Sequence, residues 1–162
     1  MHPTVKLRVR QIERTIKVPL PSAIRYVKEL ENEGILRKEN IVNITVYSAD
    51  RVSGNYLLEK KLFNLKEIHY SGIVDHLIEQ YGNPPIILFG SYSRGEDIES
   101  SDIDLFIQTP SKKQVNLRKF ETKLQRSIQL FKYKLLHNIK NKNLSNNIIN
   151  GLPLNEFIEV YR

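Results

Sequence analysis

A glycine and a serine follow an apolar run, and two alternating aspartates come about ten residues later. The pairs are Gly90 with Ser91 and Asp102 with Asp104. The run Ile86-Ile87-Leu88-Phe89 has no polar alternation, which predicts a strand covered on both faces. Behind it, Gly90 allows a sharp turn and the close approach of a phosphate, and Ser91 offers a hydroxyl and an N–H at the start of a short helix. This turn is therefore a candidate phosphate-binding site.

The two aspartates enter a second predicted strand at residues 103–108. Because alternate residues of a strand share a face, their carboxylates are expected to point the same way, about 6.6 Å apart along the chain. Ile103 and Leu105 would then point into the core. Two such carboxylates facing a phosphate-binding turn predict a site for Mg²⁺, or for Mn²⁺, that orients a triphosphate and neutralises charge as pyrophosphate leaves. Each pair alone is common on solvated surfaces, so the hypothesis depends on their joint occurrence.

The whole stretch resembles the signature of the minimal nucleotidyltransferases of the DNA polymerase beta-like superfamily, which include the MNT antitoxins. The similarity rests on Gly90-Ser91, Arg94-Gly95-Glu96 and Ser101-Asp102-Ile103-Asp104-Leu105, and it extends from about Glu67 to the C-terminus. It implies a small mixed sheet flanked by helices, with Gly90 and Ser91 on the nucleotide phosphates and Asp102 and Asp104 on Mg²⁺. It also implies transfer of a nucleoside monophosphate from a nucleoside triphosphate, with ATP as the first candidate, to a hydroxyl of a partner toxin protein or of RNA.

One carboxylate of that family is missing where the resemblance predicts it. A third strand is expected at residues 127–132, and the matching position is Gln129. An amide can ligate weakly through its oxygen, but it cannot act as a general base. Glu121 on the preceding predicted helix is an alternative ligand, although a surface acid is the plainer interpretation. The sequence therefore predicts nucleotide binding and leaves turnover open.

Charge is unevenly distributed along this half of the chain. Residues 110–150 contain ten Lys or Arg and one acid, Glu121, whereas residues 96–104 are strongly acidic. A basic stretch beside an acidic cluster suggests a polyanion held next to a cation, and RNA is one such partner; a solvated basic face is the alternative. Arg94 has two alternative roles, contact with a phosphate or an ion pair with Glu96 or Asp97.

The first 49 residues predict a separate unit. Val9, Ile12 and Ile16 recur at helical spacing, and a second helix that begins near Pro21 carries Ile24, Val27 and Leu30 on one face and ends at Gly34. Two β-like runs follow at residues 35–37 and 42–47. Helix, turn, helix and hairpin is the order of a winged helix-turn-helix, here with its first helix missing or very short.

In such a module the second helix enters the major groove of duplex DNA. The residues predicted to face the duplex are Ser22, Arg25, Tyr26 and Lys28, with Arg37 and Lys38 on the wing. Glu29, Glu31 and Glu33 lie on the same helix and would repel phosphate. Docking of a partner protein, or formation of a homodimer, is therefore the alternative use of this unit.

The predicted fold class is α+β. A winged-helix-like domain is expected at residues 1–49, a connecting helix at 50–66 and a small mixed-sheet nucleotidyltransferase fold at 67–162. Around the predicted strands, helices are expected at residues 53–65, 71–81, 112–123 and 145–150, and an extended segment at 157–161.

Composition limits the function classes. The chain has no cysteine, so disulfides and thiolate metal sites are excluded, and neither a signal peptide nor a membrane-spanning run is visible, which predicts a cytoplasmic protein. Two function classes follow: a Mg²⁺-dependent nucleotidyltransferase that modifies a protein or an RNA, or a nucleotide-binding, DNA-binding regulator or antitoxin without turnover.

Overall fold

Two helices and a β-hairpin form the first of two units, residues 1–60 and 61–162, into which the chain divides. The computed structural model describes residues 3–156, so the extended segment predicted at 157–161 lies outside the described residues. The elements of the first unit are α1 (Val9–Ile16), α2 (Leu20–Asn32), β1 (Leu36–Ile41) and β2 (Ile44–Ala49). β1 and β2 pair antiparallel, and Leu7 bridges to Tyr47 of β2. This is the predicted order of helix, turn, helix and hairpin.

Details of this unit differ from the prediction at two places. Val42 and Asn43 were expected to lie in a strand, but both have positive φ (46° and 62°) and form the two-residue turn of the hairpin, the conformation that matches strand twist. On α2 the fully buried positions are Ala23 and Val27, four residues apart, whereas Ile24 is 40% exposed. Val27 is thus buried as predicted and Leu30 is half-buried, whereas Ala23 takes the buried position expected for Ile24.

Helix α3 (Gly54–Ser71) spans the boundary between the two units and runs six residues further than predicted. Its buried positions recur every four residues at Tyr56, Lys60, Asn64 and Ile68, and Ser71 at its end is buried as well. Phe63 on the same helix is 41% exposed. Three of the five buried residues are polar, which apolar periodicity does not reveal.

The second unit is built on a mixed four-stranded sheet. Its strands are β3 (Ile86–Phe89), β4 (Ile103–Gln108), β5 (Ile128–Tyr133) and β6 (Leu152–Pro153) in the order β5-β4-β3-β6. β4 and β5 pair in parallel, and the other neighbours are antiparallel. The strands predicted at 86–89 and 103–108 are confirmed, and β5 starts one residue later than expected.

Each face of this sheet has its own apolar cluster. Ile103, Leu105 and Ile107 of β4 pack on one face, against α4 (Ile73–Tyr81) and α6 (Arg118–Leu124). Phe106 packs on the other face with residues of a 3₁₀ turn (Leu136–Asn138) and of α7 (Lys142–Ile149). Coverage of both faces explains why β3 is a continuous apolar run.

The helix predicted at 112–123 is wrong over its first six residues, because α6 begins only at Arg118. Val115 and Leu117 both pack on the core although they lie two residues apart, a spacing that a helix would direct to different sides. The side-chain oxygen of Asn116 accepts the Arg118 N–H at 3.0 Å and so caps the late start. Among the described residues, no helix is both long and apolar enough to cross a membrane.

Candidate functional site

The turn after β3 lies directly against a carboxylate of β4. Gly90 has φ +76° and opens the short helix α5 (Gly90–Arg94). A Cβ atom at Gly90 would lie 2.2 Å from Oδ2 of Asp104, closer than real Cβ contacts allow. The close approach follows from strand pairing, because Phe89 pairs with Asp104 across β3 and β4. With the Asp104 carboxylate in this position, only glycine fits at the strand end.

Ser91 follows this glycine, and its backbone closes the turn. Its carbonyl oxygen accepts the Gly95 N–H and, at 3.0 Å, the Glu96 N–H. The side chain of Ser93 donates to the Gly90 carbonyl at 2.9 Å. These bonds fix α5 as one tight turn that leaves Ser91 half-buried beside Gly90.

The two aspartates and Gln129 come together at the start of the parallel strand pair. Asp104 pairs with Gln129 across β4 and β5, so their side chains share a face of the sheet. Nε2 of Gln129 donates to Oδ2 of Asp102 at 2.6 Å, which brings Asp102 to the same place. Ile103 and Leu105 are fully buried on the opposite face, as predicted. Gln129, which the resemblance matches to a third carboxylate, therefore lies beside both aspartates as an amide.

Electrostatics at the carboxylate pair favour a cation. Burial raises the pKa of Asp104, the negative charge of Asp102 raises it further, and the positive charge of Arg94 opposes both. A raised pKa means that the folded protein holds the proton more tightly than a free aspartate does. A bound cation would relieve this repulsion, and its binding would weaken as the pH falls and Asp104 takes up a proton.

Asp102 and Asp104 form a pair of carboxylate donors that could hold a divalent cation. Within residues 3–156 no group of three or more His, Cys, Asp or Glu side chains is arranged to hold a metal. Asp102 and Asp104 would thus supply two ligands, and phosphate and water oxygens the others. Mg²⁺ is commonly bound in this way, by one or two carboxylates and substrate phosphates.

Arg94 and Glu121, which each had two interpretations, make defined contacts. Nε of Arg94 donates to the Glu96 carboxylate at 2.7 Å, and both side chains are about half exposed. This is the ion-pair alternative for Arg94. Oε1 of Glu121 accepts the Ile128 N–H at 3.0 Å, at the first residue of β5. Glu121 therefore caps a strand and does not replace the missing carboxylate.

The residues predicted to face DNA lie on the outer side of α2. Arg25, Tyr26 and Lys28 are exposed and Ser22 is half-buried. The Arg25 guanidinium lies 5.1 Å from the Tyr26 ring centre, and its Nε lies 3.7 Å from the Glu29 carboxylate. On the hairpin, Arg37 pairs with Glu39 at 2.9 Å, and Lys38 is exposed.

A buried polar cluster near the site was missed by sequence reasoning. It consists of Asn64 on α3, Asp97 after α5, and Arg126 before β5. Asp97 and Arg126 had been assigned to the acidic and basic stretches, where exposed charges are the norm. The one available signal was Asn64, a polar residue in the four-residue repeat of α3.

Comparison with known proteins adds one finding. A family model described as a nucleotidyltransferase domain matches residues 71–154, which include the Gly90 turn, both aspartates and Gln129. No curated protein and no solved structure shows significant similarity to the chain.

Proposed function

Because the chain belongs to the nucleotidyltransferase domain family, we propose that it binds a nucleoside triphosphate with Mg²⁺ or Mn²⁺ and transfers the nucleoside monophosphate to a hydroxyl. ATP is the first candidate nucleotide, and a partner protein in an antitoxin-like pairing or an RNA is the acceptor. The observation that carries the proposal is the contact of the Gly90 turn with Asp104, while Asp102 and Gln129 adjoin it.

Each side chain has a distinct part in this proposal. Gly90 leaves room for a phosphate beside the carboxylate, and the Ser91 hydroxyl and N–H are donors to phosphate oxygens. Asp102 and Asp104 would hold the cation, which supplies charge neutralisation on the phosphates. Arg94, held by Glu96, adds positive charge close to Asp104.

The acceptor hydroxyl must lose its proton during transfer. Gln129 lies beside both aspartates but cannot accept that proton, since an amide is not a base at neutral pH. Slow transfer is therefore expected, with the proton passing to water or to a group of the acceptor partner.

The test is transfer of label from α-labelled ATP, with Mg²⁺ or Mn²⁺, to a short RNA with a free 3′ hydroxyl and to candidate partner proteins. Label should appear on the acceptor with the wild-type chain and disappear with Asp102→Ala and with Asp104→Ala. Asp75→Ala, an exposed aspartate on α4, is the matched control and should behave as wild type. Label transfer that survives in both site variants would refute the proposed chemistry.

A second candidate function is that of a DNA-binding regulator, in which the first unit binds duplex DNA and the protein does not transfer nucleotides. It is favoured by the exposure of Arg25, Tyr26 and Lys28 on α2, next in sequence to the β1–β2 hairpin. If these cations contact phosphates, duplex affinity should fall steeply with salt. Replacing Arg25 or Lys28 by alanine should each reduce the slope of log affinity against log salt by about 1.

The measurement is fluorescence anisotropy with a labelled duplex over a salt series. Lys112→Ala, an exposed lysine of the second unit, is the charge-matched control and should leave the slope unchanged. Salt-insensitive binding, or a slope that Lys112→Ala changes as much as Arg25→Ala, would remove the support for a DNA-binding α2.

A further inference from the structure

Three buried polar side chains meet behind the phosphate-binding turn. Nδ2 of Asn64 donates to Oδ1 of Asp97 at 2.6 Å and to the Tyr92 carbonyl at 2.8 Å. The guanidinium of Arg126 lies 3.7 Å from Oδ2 of Asp97 and also donates to the Glu99 carbonyl. These residues, Asn64, Asp97 and Arg126, are called the buried cluster below.

Because these side chains are buried, their polar groups must find hydrogen-bonding partners within the protein. The side chain of Asp97 is fully buried and that of Arg126 is only 12% exposed, while Asn64 is 1% exposed. A buried carboxylate is costly unless it is paired and hydrogen-bonded, and both kinds of partner are present here. Removing either partner would leave a charge with too few contacts.

The cluster holds the loop that joins the two halves of the proposed site. Residues 95–101 connect α5 to Asp102, and the cluster is bonded to α5 at Tyr92 and to this loop at Asp97 and at Glu99. Arg126 itself directly precedes Ser127, whose carbonyl accepts the Ile103 N–H at 2.9 Å. One network is thus bonded to the turn, to the loop and to the segment that leads into β5 and Gln129.

We propose that Asn64, Asp97 and Arg126 are positioning residues that set the distance between the phosphate-binding turn and the carboxylate pair, so that cation and triphosphate bind cooperatively. This inference rests on the proposed nucleotide binding. None of the three residues is one of the proposed ligands of the cation or the triphosphate, so the cluster acts through the loop. A displacement of the loop by about 1 Å is enough to separate two ligand sites that must act together.

The experiment measures cooperativity between Mn²⁺ and a non-transferable ATP analogue. Titration calorimetry gives the affinity for the analogue with and without Mn²⁺, and the ratio of the two affinities is the coupling factor. Asp97→Asn keeps the size of the side chain but loses the charge that faces Arg126. We expect its coupling factor to fall about tenfold or more, in protein that remains folded at the temperature of the titration.

Two further variants and two controls complete the set. Arg126→Lys keeps a positive charge but cannot reach both Asp97 and the Glu99 carbonyl, so an intermediate loss is expected. Asn64→Ser removes the amide that joins Tyr92 to Asp97. Asp75→Asn and Arg118→Lys make the matched changes at exposed positions of the same unit, and both should keep the wild-type coupling factor.

The outcomes separate the two proposals. If the wild-type chain shows no Mn²⁺-dependent binding of the analogue, the proposed function fails and this inference falls with it. If the wild type shows coupling and the cluster variants melt at lower temperature but keep the wild-type factor, the cluster only stabilises the fold and the inference is overturned. If Asp97→Asn does not fold, the coupling factors of Arg126→Lys and Asn64→Ser test the inference instead: wild-type factors overturn it, and reduced factors support it.

Discussion

Gly90→Ala is expected to weaken Mn²⁺-dependent ATP binding by roughly 100-fold while the second unit remains folded. The added Cβ would lie 2.2 Å from Oδ2 of Asp104, and 3.2 Å from its carboxyl carbon. The cheapest relief is rotation of the Asp104 carboxylate away from the turn. That rotation removes the proposed cation ligand from the phosphate-binding turn, so the substitution should damage the site far more than the core.

Backbone strain is a competing cause and can be measured separately. Gly90 has φ +76°, and Gly72, between α3 and α4, has φ +79° with no atom within 4 Å of its would-be Cβ. Gly72→Ala thus introduces the same strain, about 1–2 kcal/mol, without the clash. Thermal unfolding should show similar losses for both variants, whereas calorimetry with ATP and Mn²⁺ should show lost binding only for Gly90→Ala. Equal ATP affinities in the two variants would contradict a phosphate site at this turn.

Much of the second unit could be predicted because its strands have unambiguous patterns. β3 is a continuous apolar run bounded by Pro85 and Gly90, and β4 is an apolar strand interrupted only by Asp104, so both strands agree with the prediction at each end. The arrangement of Asp104 beside Gln129 follows once β4 and β5 are parallel neighbours. The residue pattern of each strand, together with the pairing of neighbouring strands, is therefore enough to predict that Asp104 and Gln129 lie side by side.

Other features depend on contacts that local pattern does not contain. Residues 112–117 have helical periodicity, yet the Lys113 carbonyl accepts the Tyr81 hydroxyl at 2.8 Å and holds that segment irregular. Asp97 looks like one acid of an exposed group, but Asn64, 33 residues away, and Arg126 bury it. Such long-range polar contacts have no periodic signature, so the sequence does not reveal the cluster, although it does predict the positions of the turn and of the strand that carries the aspartates.

Gln129→Glu is expected to raise the rate of nucleotidyl transfer on the order of 100-fold. The amide nitrogen that now donates to Asp102 at 2.6 Å would be replaced by a carboxylate oxygen of the same side-chain length, at the edge of the pair. The change adds a third oxygen ligand and a base within reach of the cation site. In the metal-free variant, the new carboxylate places a negative charge beside Asp102, so this protein should be less stable than the metal-free wild type. Mn²⁺ should therefore raise the melting temperature of the variant more than that of the wild type.

The pH dependence of the transfer rate tests whether the carboxylate of Gln129→Glu acts as a general base or only binds the cation. An added general base should make the rate of Gln129→Glu rise with pH as its carboxylate ionises. Gln114→Glu, at an exposed glutamine of the same unit, adds equal charge and should leave the rate unchanged. A variant that binds Mn²⁺ more tightly but transfers no faster would show that the amide does not limit turnover.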